Sequence, residues 1–180
     1  MLFVRLFVFY LLICFGVTSS AVAEESAMGS GAEKFDSAMQ PILVSYLRIQ
    51  ESLSKDSLNE VKGAAAKIIK EAKKLKTQKV SGEHESHYKN IPGDLKKAAS
   101  LLGKATQIEQ ARTAFKKLSM PMAMWGTMSK PAGIDVLYCS KVKASWLQRR
   151  GESKNPYRSG PKMRSCGEIV GGSSHSRKHH

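Results

Sequence analysis

Apolar residues recur at alternating steps of four and three through most of this chain, a spacing that lines one side of an α-helix and can be buried only against other such helices. The first stripe is Phe35, Met39, Ile42, Tyr46, Ile49 and Leu53. Lys55-Asp56-Ser57 interrupts it, and a second follows at Leu58, Val61, Ala65, Ile68, Ala72 and Leu75. A third holds Ile91, Leu95, Ala98, Leu102 and Ala105, and a fourth Ile108, Ala111, Phe115, Leu118, Met122 and Trp125. Four helices, each with one apolar face and joined by short polar links, predict an all-α fold, an antiparallel four-helix bundle.

Local signals place the helix ends. Ser57-Leu58-Asn59-Glu60 and Thr106-Gln107-Ile108-Glu109 have the Ser/Thr-x-x-Glu form of a capping box, so the second and fourth helices should begin there. Pro41 falls early in the first helix, where a missing amide is tolerated, whereas Pro121 should kink or end the fourth near Leu118 to Met120. Lys79 to Asn90 is polar and reads as a loop, with the third helix running from about Pro92 to Lys104. Beyond Ser129 the pattern changes. Lys130-Pro131-Ala132-Gly133 is a breaker, Ile134 to Cys139 alternates like a short strand, and residues 143–170 are rich in turn formers and aromatics.

The first residues set the expected compartment. A basic Met-Leu-Phe-Val-Arg start, an apolar run from Leu6 to Val17 and the small-x-small end Ala21-Val22-Ala23 have the form of a signal peptide cleaved after Ala23. The apolar run is shorter than the ~20 residues that span a bilayer. The expected organisation is a leader over 1–23, a flexible lead over 24–33, a helical domain over 34–170 whose last part (133–170) carries the cysteines, and a basic, His-containing tail over 171–180. The expected location is the periplasm or the exterior.

The chain carries 29 Lys plus Arg against 15 Asp plus Glu, a formal net charge of +14. Losing residues 1–23 removes one Arg and no acid, leaving +13. The excess is spread over the outer face of the second helix, Lys96-Lys97, Lys116-Lys117, Arg149-Arg150 and the tail, without the aromatic interleaving of a nucleic-acid reader. No nucleic-acid partner is expected, and a weak, salt-sensitive attraction to anionic surfaces is. A nucleophile–base pair, a phosphate loop and paired carboxylates are all missing from the pattern, so no enzyme activity is expected.

Sulfur chemistry gives the sharper candidates. The leader takes Cys14 with it, and the two cysteines left, Cys139 and Cys166, would meet an oxidising compartment, where a pair either joins or holds a metal. A disulfide would stabilise the domain by roughly 3 to 4 kcal/mol. Alternatively, the two thiolates with the thioether of Met163 form a soft donor set suited to Cu(I) or Ag(I). Both readings stay open, and the two can alternate with redox state.

Met120, Met122, Met124 and Met128 superficially form a methionine run, but on a helix only Met120 with Met124, and Met124 with Met128, share a face. Met122 belongs to the core stripe, and core gap-filling is the commoner use of such residues. His84-Glu85-Ser86-His87 has its second histidine one residue too early for a zinc-protease motif and reads as a solvated loop. His175, His179 and His180 could collect a divalent ion only loosely, at a large ordering cost.

Residues Ile108 to Ser119, then Tyr138-Cys139, Ala144-Ser145-Trp146-Leu147, Asn155-Pro156-Tyr157 and Met163-Arg164-Ser165-Cys166-Gly167-Glu168, resemble the bacterial exported domain-of-unknown-function family 3347. That family is found alone or fused to periplasmic adaptor subunits of copper/silver-type efflux systems, and the resemblance extends over roughly residues 36–170. It implies a helical domain in which Cys139, Met163 and Cys166 lie close together. A periplasmic metal-efflux component is the implied partner. The chain departs from the family at Ser140-Lys141, where Pro-Met is common, which removes a thioether and adds a cation. Trp146, Asn155, Pro156 and Tyr157 are expected to pack the C-terminal segment onto the helices. The resulting expectation is an exported, non-enzymatic soft-metal-binding or efflux-accessory domain; the alternative is a disulfide-stabilised interaction module without metal.

Overall fold

The structure is a computed structural model and describes residues 21–75, 80, 85–152, 154–158 and 166–172. Four helices are followed by three strands: α1 (Ala21–Ser54), α2 (Val61–Leu75), α3 (Glu85–Lys104), α4 (Ile108–Ser129), β1 (Ile134–Cys139), β2 (Ala144–Arg149) and β3 (Glu168–Gly172). The chain is therefore mostly helical but not all-α. α1 packs on α2, α2 on α3, α3 on α4, and α4 back on α1.

The stripes become the core. All six residues of the first stripe are buried in α1, and Val61, Ala65, Ile68, Ala72 and Leu75 are buried in α2. Fully burying a large aliphatic or aromatic side chain contributes about 1.5–3 kcal/mol, which offsets the entropy of fixing these helices. The lysines at 62, 67, 70, 73 and 74 face outward and are exposed. Polar ties fix how α1 meets α4. The Asp36 carboxylate accepts from the Trp125 indole N–H at 2.7 Å and from the Ser129 hydroxyl.

Helix boundaries differ from the expected ones for identifiable reasons. α1 begins at Ala21, so residues 24–33 are helical rather than a flexible lead. α2 starts at Val61 because Ser57 Oγ accepts the amide of Asn59, two residues on, and so forms a tight turn in place of a capping box. At α4 the N-cap is Gln107, and Gln110 reaches back instead, its Oε1 accepting the Thr106 amide at 3.1 Å. α3 starts at Glu85, within the expected loop, because Tyr88 extends the stripe one step before Ile91 and is buried against Phe35 with ring centroids 4.8 Å apart.

Pro121 neither ends nor breaks α4, which continues to Ser129. Losing one intrahelical hydrogen bond is outweighed by burying Met122 and Trp125 beyond it, both with no exposed surface. The helix stops at Lys130, whose left-handed backbone (φ 46°) lets its amide bond Gly126 O.

The C-terminal segment forms an antiparallel sheet in the order β2-β1-β3. β1 pairs with β2 from Ile134↔Arg149 to Cys139↔Ala144, and with β3 through a bulge between Val136 and Leu137. The sheet packs on α4, where a Cβ at Gly126 would lie 3.1 Å from Leu147 and Val136, so a bare backbone allows close contact. Gly172 has φ +97°, and a Cβ there would lie 2.5 Å from the Ile134 carbonyl oxygen, so only glycine lets β3 close on β1.

The sequence pattern beyond Ser129 shows one short strand, Ile134 to Cys139, in an otherwise irregular Cys-containing segment, and misses β2 and β3. β2 places a polar but buried Gln148 beside Trp146 and Leu147, so its sequence lacks a clean alternation, and β3 ends in two glycines that imitate a breaker. No helix among the described residues is long and apolar enough to cross a membrane.

Candidate functional site

Cys139 ends β1 and Cys166 lies two residues before β3; the two form a disulfide with a Cα–Cα distance of 5.4 Å. Cys139 is buried, whereas Cys166 is half-buried at the rim. The bond closes a loop between positions 27 apart, which contains the whole of β2 and the Asn155-Pro156-Tyr157 turn.

The surroundings of the bond are tightly made. Asn155 Nδ2 donates to the Cys166 carbonyl at 3.3 Å, while its Oδ1 accepts the Tyr157 amide at 2.9 Å. The Tyr157 hydroxyl donates to Ser145 O at 2.6 Å, and a Cβ at Gly167 would meet the Trp146 ring at 2.6 Å. Trp146, Asn155, Pro156 and Tyr157 are all buried. Lys116 Nζ donates to the Val142 carbonyl at 3.1 Å and holds the β1–β2 turn, which also carries Lys141, against α4.

Beneath this segment lies a polar seam in an otherwise apolar interior. The Tyr46 hydroxyl accepts the Leu147 amide of β2 at 3.1 Å and shares a hydrogen bond with Ser119 Oγ at 2.7 Å. The Tyr46 ring stacks on Phe115, and Phe115 and Trp146 both approach Tyr157. Burial raises the phenol pKa of Tyr46 and of Tyr157 above the usual tyrosine value. These groups stay neutral and hold β2 on the helices.

Arg112, one of the few buried charges, joins three parts of the chain. Its Nε donates to Pro156 O at 3.2 Å, Nη2 donates to Leu53 O at 3.3 Å and pairs with Asp56, and Nη1 pairs with Glu109 at 2.8 Å. Nothing in the sequence pattern singled it out.

As an oxidised pair, Cys139 and Cys166 have no thiolate to offer a metal; reduction would leave two sulfur donors side by side. Met163, the third member of the expected donor set, lies outside the described residues, as do His84, His175, His179, His180 and residues 1–20. Among the described residues no group of three or more His, Cys, Asp and Glu side chains could hold a metal ion. The methionine run divides: Met122 is core, Met124 and Met128 are half-buried, and Met120 is 69% exposed. His87 is on a helix, in the first turn of α3.

A family model described as "Protein of unknown function (DUF3347)" matches residues 42–131, from within α1 to just past the end of α4. No curated protein and no solved structure matches the chain.

Proposed function

The chain belongs to the DUF3347 family of proteins of unknown function, and we propose that it is an exported, non-enzymatic accessory domain that handles a soft metal ion of the Cu(I) or Ag(I) type. The observation that carries this reading is the pairing of Cys139 and Cys166 at the rim of the sheet, 5.4 Å apart at Cα. Once reduced, they become two adjacent thiolates, a donor pair that prefers soft monovalent ions to hard cations. An antiparallel helical bundle supports that rim, and the leader-like N-terminus is the basis for placing the protein in the periplasm, beside a metal-efflux component.

The test is a titration of the reduced protein with Cu(I) against a competing chelator. Uptake that is lost in the Cys139→Ser, Cys166→Ser double variant supports the reading, and affinity unchanged by that double substitution sinks it. A second reading, a disulfide-stabilised interaction module without metal, is favoured by the Asn155–Cys166 bond and the close Gly167–Trp146 packing, which use the disulfide as a staple. It predicts no free thiols in native or denatured protein and no metal uptake after reduction.

A further inference from the structure

The outer side of α2 is made of lysine. Its exposed positions are Lys62, Lys67, Lys70, Lys73 and Lys74, with only Gly63 and Ala66 between them. At about 100° per residue the five lysines fan over roughly 140° of the helix, opposite the buried stripe. Glu71 is the only acid in α2; it is half-buried at the margin of the fan and drawn to Lys74 at 2.7 Å. Gly63 weakens a helix interior, yet a Cβ there would meet nothing within 4 Å, so no contact among the described residues accounts for it.

α3 extends this face. It packs against both α2 and α4, and its flank toward α4 carries Asn90, Asp94 and Leu101, which line a groove with that helix. Lys89 and Lys96 are exposed roughly 100–160° round α3 from those residues, on the flank toward α2. Seven lysines thus share one surface two helices wide, with Glu60, Glu71 and Glu85 at its margins. The exposed large apolar side chains of the described residues lie elsewhere: Leu101 is on the α4 flank of α3, and Val44, Met120, Tyr138, Ile169 and Val170 are on other elements.

We propose that the α2–α3 face seats the protein on a bilayer of anionic phospholipid, with lysine ammonium groups against headgroup phosphates. A cluster of about four to eight basic residues is enough to hold a helix to anionic lipid. Lysine is a strongly hydrated point charge on a flexible stem, which suits mobile headgroups. Reading nucleic acid or gripping a protein calls for arginine forks, aromatic stacking or an apolar anchor, and this face exposes none of them. Gly63 and Ala66 keep the middle of the face low, so headgroups can approach the backbone while the lysine stems splay. With nothing large and apolar to insert, the contact is superficial and salt-sensitive. The sheet packs on α4 and α1, so this seat leaves the Cys139–Cys166 rim on the side away from the lipid. The docking itself uses neither cysteine.

The experiment is amine acetylation of the full-length protein on vesicles of phosphatidylcholine with and without phosphatidylglycerol, read lysine by lysine by mass spectrometry. On vesicles with phosphatidylglycerol, Lys62, Lys67, Lys70 and Lys73 react more slowly than in solution, while Lys104, Lys117 and Lys141 react as before. The protection fades at ~0.5 M salt, where charges are screened within a few Å. Lys67→Gln, Lys70→Gln and Lys73→Gln together keep helix propensity and weaken binding on the order of a hundredfold at low salt, about fivefold per charge. Lys104→Gln, Lys117→Gln and Lys141→Gln remove equal charge and cost far less. The apolar run from Leu6 to Val17 is common to every variant, so differences between variants and between lipids are what count. Equal losses from the two triple variants, protection spread evenly over all lysines, or protection as strong on phosphatidylcholine alone would each overturn the proposal. The protection is read on the wild type and so does not depend on a variant folding. Release of the protein from the vesicles by an equal charge of duplex DNA or polyglutamate overturns the choice of lipid.

Discussion

A buried guanidinium is costly unless each of its nitrogens finds an acceptor, and Arg112 meets that condition with two backbone carbonyls and two carboxylates from three parts of the chain. Replacing it with methionine keeps much of the volume but leaves Leu53 O and Pro156 O without these donors. Arg112→Met should therefore lower unfolding free energy by about 2–4 kcal/mol, read from urea denaturation midpoints. Asp56→Asn should cost less than about 1 kcal/mol, because Asp56 is nearly half exposed and water replaces the lost partner. Equal losses from the two substitutions would contradict the view that the carbonyl contacts matter most. Arg112 was illegible in the sequence because a lone charge on a helix reads as surface.

At the scale of elements, legibility followed burial geometry. The four stripes were readable because a one-sided helix writes its burial into a 3.6-residue period. α3 was read seven residues too short at its start, although Tyr88 continued its stripe in register. β1 was found, whereas β2 and β3 were not, since β2 sets a buried but polar Gln148 beside Trp146 and Leu147 and β3 ends in two glycines that imitate a breaker. The sulfur groups were legible only in part. Placing Met120 with Met124 on one face followed from helical spacing, whereas His87, read as part of a loop, was seen on a helix only once α3 was known to begin at Glu85.

The disulfide has a measurable consequence at this same scale. It closes the loop that holds β2, and β3 leads away from it as the edge strand on β1. Reducing it should lower global stability by about 3.5 kcal/mol on a loop-entropy account. The loss should be uneven: amides of Ile169 and Val170 should lose hydrogen-exchange protection first, while those of Ile68 and Leu95, deep in the helices, keep most of theirs. Uniform loss across sheet and helices would show that the staple stabilises the whole domain as one unit.

For the molecule as a whole, the sheet and the helices are joined through the seam of Tyr46, Phe115, Tyr157 and Trp146, and that seam makes the fold sensitive to alkali. Both phenols are buried. Desolvation is the largest cause of the raised pKa in each case, followed at Tyr157 by the proximity of Tyr46. An unfolded chain would ionise them near the ordinary tyrosine value of about 10. Below that pH the phenols are neutral in both states and contribute no pH dependence. Above it, the unfolded chain releases protons that the folded one keeps, so each tyrosine draws stability down by about 1.4 kcal/mol per pH unit until its folded-state pKa is reached. Denaturation midpoints measured at pH 9, 10 and 11 should fall progressively above pH 10. In a Tyr46→Phe, Tyr157→Phe variant the curve should start lower, because the Leu147 amide and the Ser145 carbonyl lose their phenol partners, but it should run flatter. A variant as steep as the wild type would place the alkaline sensitivity elsewhere in the molecule and would mean that the seam opens to water before its phenols ionise.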